Sequence, residues 1–256
     1  MMPVEFISLG PGGTGTVTVT TLRMLSSCRV VYCFSTGGVS HAADIIRELC
    51  DEHLLPHMPD VRCVDVPMLR DRQSANAVYA RLAEELAALY AEHDDGQDAD
   101  ETASSGICVV TEGDSGIFAT THYVMDRLLS CGIPCRQHPG VPSFIAAAAV
   151  AGLHIAKLRE RLVVIPGNAS ADEMDDLLRS GHNIVIMKLS LATEAVRELL
   201  RRYDESAADA TPTPFQTPSF HYFRNIGMPT QEYVRITSAD MVPDRFPYFS
   251  LMIICR

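Results

Sequence analysis

Apolar residues arrive along this chain in short dense runs, each closed by a turn rich in glycine or proline and often followed by apolar residues at helical spacing. Residues 4–9 predict a strand, and Val17, Leu22, Leu25 and Cys28 a helix after it. Residues 29–34, 61–66, 107–111 and 133–137 predict four more strands. Between them, helices are expected over 41–52, with Ser40 as its N-cap, and over 75–92, with Leu82, Leu86 and Leu89 on one face. A further helix is read from Phe118 through Val124, Met125, Leu128 and Leu129 to Cys131. Residues 93–105 are acidic and lack large apolar side chains, which predicts an exposed loop or a disordered insertion.

The pattern then changes. A Pro139-Gly140 turn opens a helix made almost wholly of alanine, with Pro142 suited to its first turn. Strands at 162–165 and 183–188 alternate with helices at 171–180 and 192–203. Residues 204–218 carry Pro212, Pro214 and Pro218, so helix is excluded there and a polar linker is expected. Residues 220–223, 232–236 and 248–255 follow as strands without helices between them, the pattern of an antiparallel meander. The fold class is therefore α/β: a mostly parallel N-terminal α/β domain over 1–137 and a C-terminal α+β domain with antiparallel strands over 138–256. A ligand in the cleft between the halves is the default expectation.

Composition narrows the function. The net charge is −11 and the only lysines are Lys157 and Lys188, which disfavours nucleic acid as the partner. The longest apolar run, 144–153, is too short to span a bilayer, and the MMPVEFISL start reads as a strand, not a signal peptide. Eight dispersed cysteines without a CxxC pair fit reduced thiols in a cytoplasm, and no His spacing suggests a metal site.

Two glycine-rich turns stand out. Gly10-Pro11-Gly12-Gly13-Thr14-Gly15 follows the first strand but is no dinucleotide fingerprint, because Pro11 sits inside it and no acidic residue closes the 29–34 strand, and no P-loop, because no Lys-Ser/Thr follows, so taken alone it reads as a tight turn. Glu112-Gly113-Asp114-Ser115-Gly116 follows the buried 107–111 strand; it is either a ligand turn or a plain connection whose Asp114 and Ser115 cap the next helix.

Taken in order, GPGG at Gly10, EGDSGIFAT at Glu112, HPGVPSF at His138, IVIMK at Ile184 and YFSLMII at Tyr248 resemble the tetrapyrrole methylase superfamily, the S-adenosylmethionine-dependent C-methyltransferases of the cobalamin and sirohaem pathways. VPMLRD at Val66 and the terminal YFSLMII are similar to its precorrin-2 (cobalt-precorrin-2) C20-methyltransferase branch. The chain departs from the family where GPGDP becomes GPGGT, where GDP becomes Asp114-Ser115, and where Pro142 replaces a serine. The second change is expected to loosen the central turn.

The resemblance implies a two-domain fold, a cytoplasmic homodimer, a small-molecule tetrapyrrole substrate and S-adenosylmethionine in the interdomain cleft. The cofactor contacts it implies are Pro11, Gly113, Asp114, Ser115, Phe118, Ala119, Thr120, Ser143 and Met187. Met187 as ordinary core and Thr120 as an ordinary helix hydroxyl are the structural alternatives. Because the substrate bears many carboxylates, Arg70, Arg72, Arg224 and Arg245 are its candidate partners. No catalytic residue is assigned, and His138 is the one candidate base for the proton that C-methylation releases. The alternatives are another methylase of the superfamily, acting on ribosomal RNA or in the diphthamide pathway, and a relative that binds the cofactor without turnover.

Overall fold

The structure is a computed structural model that describes residues 2–67, 72–93, 106–208 and 217–256. The acidic 93–105 stretch, from residue 94 on, and most of the VPMLRD segment, including Arg70, lie outside the described residues. Contacts divide the chain into two units, Met1–Ser143 and Phe144–Arg256.

In the first unit, β1 (Val4–Ser8), β2 (Val30–Ser35), β3 (Asp60–Asp65), β4 (Ile107–Thr111) and β5 (Cys135–His138) form one sheet in the order β3-β2-β4-β1-β5. Every pairing in it is parallel. Side chains of a strand point alternately to its two faces, so one apolar run feeds two cores. Ile7, Leu9, Val31, Cys108 and Val110 face α1 (Val19–Ser27) and α2 (His41–Asp51) through Leu25, Ile45, Ile46 and Leu49. Val4, Phe6, Tyr32, Ile107 and Val109 face α3 (Arg72–His93) and α4 (His122–Ser130) through Leu82, Leu86, Val124 and Leu128. Ser40 caps α2 as its sequence indicated, its Oγ accepting the Ala43 N–H at 3.3 Å.

This layering decides where a ligand belongs. The chain leaves β1 for α1 on one face and leaves the adjacent β4 for α4 on the other. Neighbouring strands whose connections diverge make a topological switch point, and the crevice outside their carboxyl ends is where open α/β sheets take ligands.

The second unit holds β6 (Arg161–Pro166), β7 (His182–Met187), β8 (Ser219–Arg224), β9 (Glu232–Ile236) and β10 (Ser250–Cys255) in the order β6-β7-β10-β8-β9. Among the described residues of this unit, only β6 and β7 pair in parallel. Helices α6 (Ala171–Arg179) and α7 (Thr193–Ala208) bury Met174, Leu178, Val196 and Leu199 on Ile184, Ile186, Phe220 and Met252. The alanine-rich α5 (Ser143–Val150) begins at the join of the units. No helix among the described residues is long and apolar enough to cross a membrane.

Four local readings change. Phe118 stands outside α4, in the left-handed region at φ 52°, because the central turn continues for several residues before the helix starts. Helix α7 runs to Ala208, since the prolines that stop a helix begin only at Pro212. β10 is inserted between β7 and β8, so the terminal strands are antiparallel but not a simple meander. Cys28 and Cys108 are joined by a disulfide with Cα atoms 6.4 Å apart, within the span such a bond needs, so the cysteines are not all thiols. Their separation of 80 residues kept that pairing out of reach of sequence spacing.

Asp175 on α6 joins that helix to α7. Burial works against its charge, but hydrogen bonds from Tyr203 at 2.7 Å and Arg179 at 2.9 Å outweigh it and hold the carboxyl below its usual range. A depressed folded-state value contributes stability above the unfolded carboxyl value of about 3.9, which is lost as pH falls through the folded one. Asp175→Ala is expected to lower stability by about 2 kcal/mol at neutral pH. The gap from the natural chain should narrow below about pH 4, as denaturant titrations at pH 7 and pH 3 would show.

Candidate functional site

The site is built from three turns in the first unit. At the switch point Gly10 and Gly113 exchange both backbone hydrogen bonds, Gly10 N–H to the Gly113 carbonyl at 3.0 Å and Gly113 N–H to the Gly10 carbonyl at 2.8 Å. Both glycines are left-handed, at φ 75° and 70°. A Cβ on Gly10 would stand 2.3 Å from Thr16 Oγ1, so glycine there is a packing requirement. A Cβ on Gly113 would meet nothing within 4 Å: the backbone at that point faces open space.

The third turn, after β5, locks onto the central one. Gly140 N–H donates to Asp114 Oδ2 at 2.7 Å, while Gly116 N–H donates to Oδ1 of the same carboxylate at 2.8 Å. Asp114 is therefore a clamp between two turns. A carboxylate taking two backbone N–H groups keeps lone pairs for a ligand, so this role is compatible with cofactor contact. Gly140 is as constrained as Gly10: a Cβ there would lie 2.5 Å from Ser8 Cβ and 2.7 Å from the Gly113 carbonyl oxygen.

Beneath the turns runs a buried hydroxyl network. Ser8 Oγ accepts the Ser115 N–H at 2.9 Å and donates to the His138 carbonyl at 2.7 Å. Ser115 Oγ accepts from Gln137 Nε2 at 2.9 Å, and Thr21 Oγ1 donates to the Ser8 carbonyl at 2.9 Å. Ser115 thus ties the central turn to β1 and β5, the reverse of the loosening expected where a proline is replaced. Glu112 packs toward the start of α2: burial pushes its carboxyl up, opposed by the positive field of His41 and a hydrogen bond from the Ala42 backbone.

The structure gathers Pro11, Gly113, Asp114 and Ser115 at this one end of the parallel sheet, with Phe118, Ala119 and Thr120 in the segment leading to α4. Phe118 and Thr120 are exposed, whereas Pro11, Ser115 and Ala119 are buried. Ser143 closes the first unit as the first residue of α5. Met187, Arg224 and Arg245 belong to the second unit. Met187 ends β7 beside the left-handed Lys188, whose carbonyl oxygen stands 2.2 Å from where a Cβ on Gly167 would sit. Arg224 and Arg245 are exposed, and Arg224 Nη1 lies 4.0 Å from Glu232 across the β8–β9 pair. Arg72 is the first residue of α3; its side chain lies outside what is described. The His138 ring is buried, with Nε2 hydrogen-bonded to Glu5 at 2.7 Å, so the candidate base is already engaged.

Sequence reasoning missed Ser8, Gln137 and Gly140, whose roles exist only once three distant turns meet. Glu5 carried a signal: an acidic residue inside a strand apolar at every other position through Ile7.

The profile of the tetrapyrrole (corrin/porphyrin) methylases matches residues 3–242. The chain is 31% identical over 196 residues to the cobalt-precorrin-2 C(20)-methyltransferase of Salmonella typhimurium, covering 76% of each chain. It is 27% identical over 205 residues to the precorrin-4 C(11)-methyltransferase of Rhodococcus erythropolis, covering 77% of this chain and 70% of that one. The uroporphyrin-III C-methyltransferase of Thermus thermophilus, solved with S-adenosylhomocysteine, shares the fold with a TM-score of 0.62 at 17% identity, covering 99% of this chain and 97% of that one.

The glycines separate fold from ligand. Gly140→Ala drives a methyl into backbone and is expected to destabilise the chain by about 1–3 kcal/mol, with Gly10→Ala similar. Gly113→Ala meets no atoms and is expected to cost only the left-handed strain of about 1–2 kcal/mol. Thermal unfolding of the three variants measures the contrast.

Proposed function

We propose that this chain, which belongs to the tetrapyrrole (corrin/porphyrin) methylase family and is an S-adenosylmethionine-dependent methyltransferase of cobalamin biosynthesis, methylates C20 of precorrin-2 or its cobalt complex. The observation that carries the reading is the open backbone face of Gly113 at the switch point, set beside 31% identity to a C20-methyltransferase. The residues fit the cofactor: a ligand laid against Gly113 takes the volume that any side chain would fill, and Asp114 is already oriented by two N–H donors.

Bound S-adenosylmethionine supplies a methyl group already activated by its sulfonium charge. The chain's task is then alignment, which rigid turns perform without a nucleophile or a paired-acid signature. Pro11, Gly113, Asp114, Ser115, Phe118, Ala119, Thr120, Ser143 and Met187 are the proposed cofactor contacts. Ser115 acts there through its backbone carbonyl, since its hydroxyl is engaged with Gln137 and Ser8 and its N–H with Ser8. Asp114 and the turn carbonyls offer acceptors for polar groups of the cofactor. Arg70, Arg72, Arg224 and Arg245 are proposed to take the acidic side chains of the tetrapyrrole, charge-assisted pairing that an acidic protein needs locally. The protein is proposed to work as a homodimer in the cytoplasm.

Methylation at C11 of precorrin-4 is the second reading, favoured by the 27% identity to the Rhodococcus erythropolis enzyme. Calorimetry with S-adenosylhomocysteine is expected to show binding, and Gly113→Ala to weaken it by about tenfold while the protein stays folded. Turnover on reduced precorrin-2, with and without cobalt, should then add one methyl while precorrin-4 gains none, and which substrate is methylated, with the carbon located by NMR, decides between C20 and C11. A chain that binds and turns over neither substrate is a non-catalytic relative. Replacing Arg70 and Arg72 together should raise the substrate KM by about tenfold or more and leave that of the cofactor unchanged. No change in either removes the two arginines from the site.

A further inference from the structure

Glu5 is fully buried in β1, between Val4 and Phe6 of the sheet's core. Its Oε2 accepts the hydrogen bond from His138 Nε2 at 2.7 Å, and Arg136 Nη1 stands 3.5 Å from Oε1. Oε1 accepts no hydrogen bond among the described residues. Register explains the grouping. Glu5 pairs with Arg136 and Ile7 with His138 across β1 and β5, so alternation puts the three polar side chains on one face. A carboxylate buried with one incomplete oxygen is a poor way to hold two strands together, since apolar residues of similar volume stabilise such a position equally well or better. The pair therefore calls for another role.

His138 supplies it. Its carbonyl is held by Ser8 at 2.7 Å, and two residues later the Gly140 N–H grips Asp114. Pro139 between them has a fixed φ and no N–H, so the orientation of His138 is passed on to Gly140 with little slack. Fixing the imidazole removes the last freedom of the residue that launches the turn. We propose that Glu5 is a positioning residue: through His138 it sets where the 139–142 turn lies, and so holds Asp114 and the Gly113 backbone in their ligand-binding arrangement. The inference rests on assigning these turns to S-adenosylmethionine, and it goes beyond that assignment by placing a determinant of affinity inside the sheet, beneath the turns it controls.

The test pairs calorimetric affinity for S-adenosylhomocysteine with thermal unfolding, in the full chain and four variants. Glu5→Gln keeps an acceptor for His138 and is expected to bind within about threefold of the natural chain. Glu5→Leu removes it and is expected to bind roughly ten- to a hundredfold more weakly. The double variant Glu5→Leu/His138→Phe replaces the pair by apolar groups, which is expected to restore stability but not affinity, and it decides the matter if Glu5→Leu does not fold. Asp175→Ala, remote in sequence and in the other unit, should lose stability without losing affinity. The inference is overturned if folded Glu5→Leu or the double variant binds as tightly as the natural chain, if Glu5→Gln is as weak as Glu5→Leu, or if Asp175→Ala loses affinity to the same degree. A natural chain that binds no S-adenosylhomocysteine overturns the cofactor assignment itself, a result distinct from all of these.

Discussion

Two hydrogen bonds between Gly10 and Gly113 carry the organisation of the first unit's carboxyl edge. They join the ends of the two strands whose connections part to opposite faces, and they do so with backbone alone. Everything else at that edge is arranged around keeping the two glycines in register. Leu9 N–H donates to the Thr111 carbonyl just before them at 2.9 Å, and Thr21 reaches from α1 to the Ser8 carbonyl. Side chains would spoil the arrangement, because Gly10 has no room for one and both residues sit at positive φ. A site made this way presents N–H groups, carbonyls and one fixed carboxylate. A surface of this kind is suited to aligning a ligand, which is what transfer from a pre-activated donor asks of a protein.

The polar network below the turns explains how this chain keeps them rigid despite its departures from the family's usual residues. The Asp114-Ser115 step gives up the stiffness of proline. In exchange the Ser115 N–H and hydroxyl enter a closed set of bonds with Ser8, Gln137 and the His138 carbonyl. Buried polar groups rigidify when each finds a partner. Glu5 and His138 add a second buried polar contact on the other face of β1 and β5: alternation sets them with Arg136 on the Ile7 face, whereas Ser8 and Gln137 share the face of Val4 and Phe6.

Much of the fold was legible in the sequence because its signals are local. Strands announce themselves as dense apolar runs, helices by spacing, and α2 by the serine that caps it. Motif order then identified the family and the turns. What could not be read depends on residues far apart in the chain. The Cys28–Cys108 bond spans 80 residues, and the insertion of β10 between β7 and β8 reverses the neighbour order that consecutive strands suggest. Phe118 was misplaced for a different reason: its apolar character fits a helix, but the turn extends through it at positive φ. Of the site, the glycine turns were visible, whereas Asp114's role as a clamp required knowing that Gly140 lies against it.

A carboxylate in the middle of a parallel strand is the local rule this sequence breaks most openly. Parallel strands covered on both faces favour continuous apolar residues, and VEFISL conforms except at Glu5 and, at its carboxyl end, Ser8. Such violations are tolerated when something outside the core's own stability depends on them. Here Glu5 lies opposite Arg136 and bonds the residue that opens the third turn, and that turn grips the carboxylate of the second through the Gly140 N–H. The break in pattern and the convergence of turns are thus one feature seen at two depths. A polar contact deep in the sheet has a use only because the edge above it must be held to a fraction of an ångström, and the edge can be bare backbone only because its geometry is fixed from below.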